Sequence, residues 1–172
     1  MATILKSNQR EFKEEPNKID NFRLFSDVSI KKGVNSQNLI FDLRQLNPGQ
    51  YNCPYHFHRC AEELFMIISG VATLRTPNGL EIVENGDLIF FETGETGAHQ
   101  LYNHTEIPCV YLDIRTFAGF DVCEYPDSNK INIMLSTESN GIFDKNSQVN
   151  YFNGEDNVRD KWKQIESEFA EL

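Results

Sequence analysis

Between Asn38 and Arg115 the chain is cut into short β-branched and aromatic runs, each closed by a turn signal. N-L-I-F-D-L-R-Q-L ends in N-P-G, E-L-F-M-I-I in S-G, and V-A-T-L-R in T-P-N-G. L-E-I-V then ends in E-N-G-D and L-I-F-F in E-T-G, before H-Q-L-Y and P-C-V-Y-L-D-I. Parallel strands need crossovers of a dozen residues or more, and these intervals leave no room for them. Antiparallel strands joined by tight turns fit, and T-P-N-G between two strands is a strong hairpin signal. The central segment, residues 38–116, is therefore expected to be an all-β sandwich or barrel.

The flanks read differently. Residues 1–37 form an arm of mixed charge with one short strand in N-F-R-L-F-S-D-V-S-I. Residues 117–172 form an extension in which F-D-V-C-E-Y-P-D ends in a turn and I-N-I-M-L is one more strand. Val158, Trp162, Ile165, Phe169 and Leu172 recur at spacings of four and three, which predicts an amphipathic helix from about Asp156. L-F-M-I-I reads as a strand buried on both faces, so Leu64, Met66 and Ile68 need a cover. The helix or a second subunit would supply it, and a homodimer is expected.

Composition removes several function classes. With 16 Lys+Arg against 26 Asp+Glu the chain carries a net charge of −10, the wrong sign for nucleic acid or an anionic membrane surface. A small anionic substrate held by a local arginine (Arg44, Arg59 or Arg115) is compatible with it. The start lacks the apolar core of a signal peptide, and the longest apolar run, Leu64 to Ile68, is too short to span a bilayer. Cys53, Cys60, Cys109 and Cys123 show no C-x-x-C pairing and read as reduced thiols, which points to the cytoplasm.

Of the four histidines, His56 and His58 sit one residue apart, just before Glu62 and Glu63. On a strand, residues i and i+2 share a face, so both imidazoles can point into a barrel while Phe57 points out. The chain can turn after them and begin the next strand at Glu63, which adds a carboxylate; Glu62 then faces the other way. His99 opens a later strand. Imidazole is the commonest metal-ligating side chain, but H-x-H alone reads more readily as a polar surface patch. His104 reads as a loop histidine, Cys53 and Cys60 as ordinary thiols, and Tyr55, Tyr102 and Tyr111 as pocket or packing residues.

The order of these residues resembles the cupins, the double-stranded β-helix or jelly-roll family. Gly49, His56, His58, Glu63 and Gly70 follow that family's first motif, G-x5-H-x-H-x(3,4)-E-x6-G, with six residues rather than five after Gly49. Gly86, Gly94, His99 and Asn103 follow the second, G-x5-P-x-G-x2-H-x3-N. There Glu92 replaces the proline, and four residues rather than two precede His99. G-E-T-G-A-H, Y-L-D-I and D-V-C-E-Y-P-D resemble a subgroup of small single-domain cupins sometimes labelled sugar-phosphate-isomerase-like, from which R-T-F at Arg115 departs.

The resemblance implies a mononuclear site in which His56, His58, Glu63 and His99 hold one divalent transition metal per chain (Mn, Fe, Ni, Co, Cu or Zn). It would face a pocket for a small polar molecule, sugar-like or carboxylate. A metal-dependent isomerase, epimerase or dioxygenase is compatible with such a site. So is a binding or sensing module without catalysis, since function lives in the site and not in the fold.

Overall fold

In the computed structural model of the chain, which describes residues 2–15, 19–135 and 141–169, each run of the central segment becomes a strand. The arm supplies β1 (Phe12–Glu14), β2 (Leu24–Asp27) and a short helix α1 (Val28–Gly33). The centre supplies β3 (Leu39–Leu46), β4 (Phe57–His58), β5 (Glu63–Ser69), β6 (Val71–Thr76), β7 (Gly79–Glu84), β8 (Leu88–Phe91), β9 (Gln100–Tyr102) and β10 (Cys109–Thr116). β11 (Phe120–Tyr125), β12 (Lys130–Leu135), β13 (Gly141–Asp144) and helix α2 (Val158–Phe169) follow.

The strands form antiparallel sheets in the orders β1-β2-β3-β10-β5-β8, β13-β12-β11-β4 and β7-β6-β9. The arm and the extension thus join the sheets: β2 pairs with β3, and β11 pairs with β4. T-P-N-G makes the β6–β7 hairpin, with Thr76 opposite Gly79. Gly70 turns β5 into β6 at φ +82°, where a Cβ would lie 2.5 Å from the Pro108 carbonyl oxygen. That combination admits only glycine.

One core lies between the six-stranded and three-stranded sheets, where Leu46, Phe65, Ile67, Ala72, Leu101 and Tyr111 are almost fully buried. Each large side chain there contributes roughly 1.5–3 kcal/mol. On β5 the burial alternates: Glu63, Phe65 and Ile67 are buried, and Leu64, Met66 and Ile68 are half-buried. The strand is thus not buried on both faces. Leu64 and Met66 lie beside Ile114 and Leu112 of β10 and Phe90 and Leu88 of β8, cross-strand neighbours that give them partial cover within the sheet.

The C-terminal helix forms, but its stripe does not cover the barrel. Val158, Trp162, Ile165 and Phe169 are 49%, 63%, 50% and 73% exposed. Leu172, the last position of that stripe, lies outside the described residues. Among the described residues no helix is long and apolar enough to cross a membrane.

Candidate metal centre

Backbone pairing brings the four expected residues together. The His56 N–H donates to the His99 carbonyl at 3.2 Å, and the His99 N–H donates back to the His56 carbonyl at 2.9 Å. His58 lies on β4 opposite Cys123 of β11. Glu63 opens β5, flanked by Arg115 of β10 and Phe91 of β8. Strand parity sends Glu63 inward with Phe65, and all four side chains are buried.

Glu63 Oε2 lies 3.4 Å from His58 Nε2 and 3.2 Å from His99 Nε2. Donor atoms of His56, Glu63 and His99 all fall within 4.8 Å of one another, as do those of His56, His58 and Cys123. Each imidazole is anchored through its other nitrogen. His56 Nδ1 donates to the Pro54 carbonyl at 3.0 Å, and His99 Nδ1 to the Gly97 carbonyl at 2.9 Å. His58 Nδ1 bonds Asp121 Oδ2 at 2.5 Å. A carbonyl oxygen can only accept, so on His56 and His99 the proton sits on Nδ1 and the Nε2 lone pair is free; such bonds fix the tautomer and orientation of a metal-binding histidine.

Three features show that the donor set fits a cation. Glu63 Oε2 and His99 Nε2 are buried and make no hydrogen bond, an expensive state for polar atoms unless something else satisfies them. Burial, and then the nearby His99, push the His56 imidazole down to about 3, so it is neutral. Burial works against the Glu63 carboxylate, but the imidazoles of His58 and His99 outweigh it and hold the group well below the usual range. His58 stands apart from these three: burial opposes its charged form, but its bond to Asp121 and its closeness to the Glu63 carboxylate prevail and hold it above the ordinary value.

A cavity of about 440 Å³ opens beside the cluster, and Arg44, Cys53, Asp113, Arg115, Cys123 and Tyr125 contribute to its wall. Arg115 Nη1 approaches His58 Nε2 at 3.3 Å. Arg115 Nε and Asn132 Oδ1 are buried without a hydrogen-bond partner, one a donor and the other an acceptor. Arg44 Nε pairs with Asp113 Oδ2 at 3.0 Å. Burial is the largest influence on Asp113; Arg44 opposes it and Glu63 adds to it, and the carboxyl is pushed up to about 8.

The other residues marked from sequence separate cleanly. Glu62 is exposed, and so is His104, whose Nδ1 lies 2.8 Å from Thr73 Oγ1. Arg59 is tied to Glu124 at 2.5 Å, its guanidinium over Phe57. Phe57, expected to point outward, is 3% exposed and packs with Tyr55 and Ala98 in a small second cluster beneath that guanidinium. Tyr102 stacks on Tyr51, Tyr111 is core, and Cys60 is exposed. Asp121, Cys123 and Asn132 were not marked from sequence. Asp121 and Cys123 share a strand face by alternation, but nothing local indicates that this strand pairs with β4.

Comparison with known proteins adds a family and a set of folds. Residues 43–115 match the family model described as a cupin domain. Curated proteins give no match. Among solved structures the chain is similar to a candidate sugar phosphate isomerase from Acidithiobacillus ferrooxidans, with TM-score 0.75 and 22% identity over 86% of this chain and 95% of that one. It is similar to a sugar phosphate isomerase of a cupin superfamily from Silicibacter pomeroyi, with TM-score 0.71 and 18% identity over 86% and 97%. A third similarity is to the polyketide cyclase RemF from Streptomyces resistomycificus, with TM-score 0.53 and 19% identity over 81% and 88%. At these identities the likeness is one of fold.

Proposed function

This chain carries a cupin domain, and from that premise we propose that His56, His58, Glu63 and His99 hold one divalent transition metal whose open side binds a small polar molecule, sugar-like or carboxylate. One observation carries this: the Nε2 atoms of His58 and His99, each ring fixed through Nδ1, turn toward a buried Glu63 oxygen that has no hydrogen bond, and a ring nitrogen of His56 lies within 4.8 Å of donor atoms of Glu63 and His99. Three nitrogens and one oxygen suit Mn, Fe, Ni, Co, Cu or Zn. When bound, the metal supplies Lewis acidity at a carbonyl or hydroxyl oxygen. The chain supplies the rest. Arg115 Nε offers a donor and Asn132 Oδ1 an acceptor to the molecule in the cavity. Arg115 also offers positive charge to a carboxylate or phosphate.

Isomerisation or epimerisation of a sugar-like compound is the reaction class favoured, because two of the similar structures carry the name sugar phosphate isomerase. A non-catalytic binding module is the second reading. It is favoured by the lack of an unassigned histidine base: three histidines face the centre, and His104 is exposed beside Thr73.

The proposal includes a homodimer in the cytoplasm. Support for the dimer comes from exposed Leu80, Ile82, Leu88 and Phe90 on β7 and β8 and from the exposed stripe of α2, surfaces that monomers seldom leave open. Support for the compartment comes from four free thiols. Elemental analysis of protein purified without chelators or nickel resin tests the metal. About one transition metal per chain, lost in His58→Ala and His99→Ala, is expected; full metal content in those variants would refute the ligand assignment.

A further inference from the structure

We propose that Cys123 is a fifth protein ligand of the same centre, a thiolate that closes one of the positions the four-residue set leaves open. This rests on the metal reading above and adds a residue to it. The Sγ of Cys123 lies within 4.8 Å of ring nitrogens of both His56 and His58. The register explains why: Cys123 is the direct cross-strand partner of His58, so the two side chains stand on the same face of the β4–β11 pair. Cys123 is 3% exposed and lines the cavity shared by His56, His58 and Glu63.

It is not an isolated thiol. The cavity that it lines is also lined by Glu63, whose buried Oε2 makes no hydrogen bond.

Cys53 provides the internal comparison. It too lines the cavity, but its Sγ lies 3.4 Å from His56 Nδ1, the nitrogen that donates to the Pro54 carbonyl. Cys53 therefore backs the imidazole from behind, whereas Cys123 Sγ lies within reach of ring nitrogens of two of the expected ligands, His56 and His58, on the cavity wall. On binding, one metal–sulfur bond forms, the S–H bond breaks, and its proton goes to the solvent.

A thiolate changes which metals the site prefers. Soft sulfur favours Zn, Cu(I) and Fe over Mn, for which an all nitrogen and oxygen set is better suited. The centre thus becomes more selective than three histidines and a glutamate would make it. It also keeps fewer positions for an external molecule.

The test is optical, on the full-length protein titrated with Co(II) alone. A near-ultraviolet sulfur-to-cobalt charge-transfer band is expected beside the visible d–d bands. The band should disappear in Cys123→Ser and persist in Cys53→Ser, and the preference for Zn(II) over Mn(II) should fall at least about tenfold in Cys123→Ser. Cobalt d–d bands without a charge-transfer band in the unmodified protein overturn the fifth ligand and leave the four-residue centre standing. Loss of the band in Cys53→Ser instead of Cys123→Ser overturns it as well. If the protein takes up no Co(II), the fifth ligand and the four-residue centre fall together.

Discussion

Replacing Asp121 by asparagine should weaken metal binding without unfolding the chain. The carboxylate does two separable things. Oδ2 accepts from His58 Nδ1 at 2.5 Å, and Oδ1 accepts from the backbone N–H groups of Cys60 at 3.0 Å and Val122 at 2.9 Å. Asparagine keeps an acceptor for the two backbone groups but presents an amide N–H₂ to His58. Two donors would then face each other, and the imidazole relieves this by moving its proton to Nε2, the atom aimed at Glu63. Loss of such an anchoring bond typically costs 10–100-fold in metal affinity, or about 1.4–2.8 kcal/mol. Asp121→Ala should lose the same affinity and also leave two backbone donors without their acceptor, at about 1–3 kcal/mol each. Competition with a chromophoric chelator for Zn(II) or Co(II), alongside thermal melts of the metal-free proteins, separates the two effects. If the asparagine variant binds metal within about twofold of the unmodified protein, the Nδ1 anchor does not control the lone pair and the tautomer argument is wrong.

Glu63→Gln should cut metal affinity while Glu62→Gln leaves it unchanged, since Glu63 is buried in the cluster and Glu62 is exposed; equal losses by isothermal titration would contradict this. Gly97→Ala should lower both the melting temperature and metal affinity. A Cβ there would sit 1.9 Å from the Glu92 carbonyl oxygen, so the loop must shift, and with it the Gly97 carbonyl that anchors His99. A variant matching the unmodified protein in both would show that the loop gives way freely. Removing residues 156–172 should leave the metal content intact and convert a dimer to a monomer by light scattering, because the stripe of α2 is exposed on its own chain. A fall in melting temperature without a change in mass would instead mean that α2 packs on its own barrel.

Where a structural feature depends on local chemistry it was legible in the sequence. Turn residues located the strands, the T-P-N-G hairpin formed with Thr76 opposite Gly79, and parity separated Glu63 from Glu62. His56, His58, Glu63 and His99 were singled out because their spacing belongs to a motif; in the structure His58 and His99 both lie beside Glu63, and a ring nitrogen of His56 falls within 4.8 Å of donor atoms of Glu63 and His99. Features that depend on long-range pairing were not legible. Asp121 reaches His58 across 63 residues, and Cys123 faces it only because β11 pairs with β4. The same limit explains the helix: its amphipathic period was visible, but the surface it would cover is not encoded in that period. Phe57 was assigned outward by alternation, yet Tyr55, Ala98 and Arg59 cover the outer side of that strand.

The long reach from Asp121 to His58 also sets an order of events during synthesis. At roughly 5–20 residues per second, a ribosome needs about 3–13 s to make the chain between them. Throughout that interval His58 lacks both the carboxylate that fixes its tautomer and the strand that pairs with it, whereas His56 already has the Pro54 carbonyl and, once made, His99. Asp121 and Cys123 reach His58 only after β11 has folded back onto β4. On the proposed metal reading, the choice of metal is therefore made by the finished barrel against the metal pool around it, and not by whichever ion arrives first during translation.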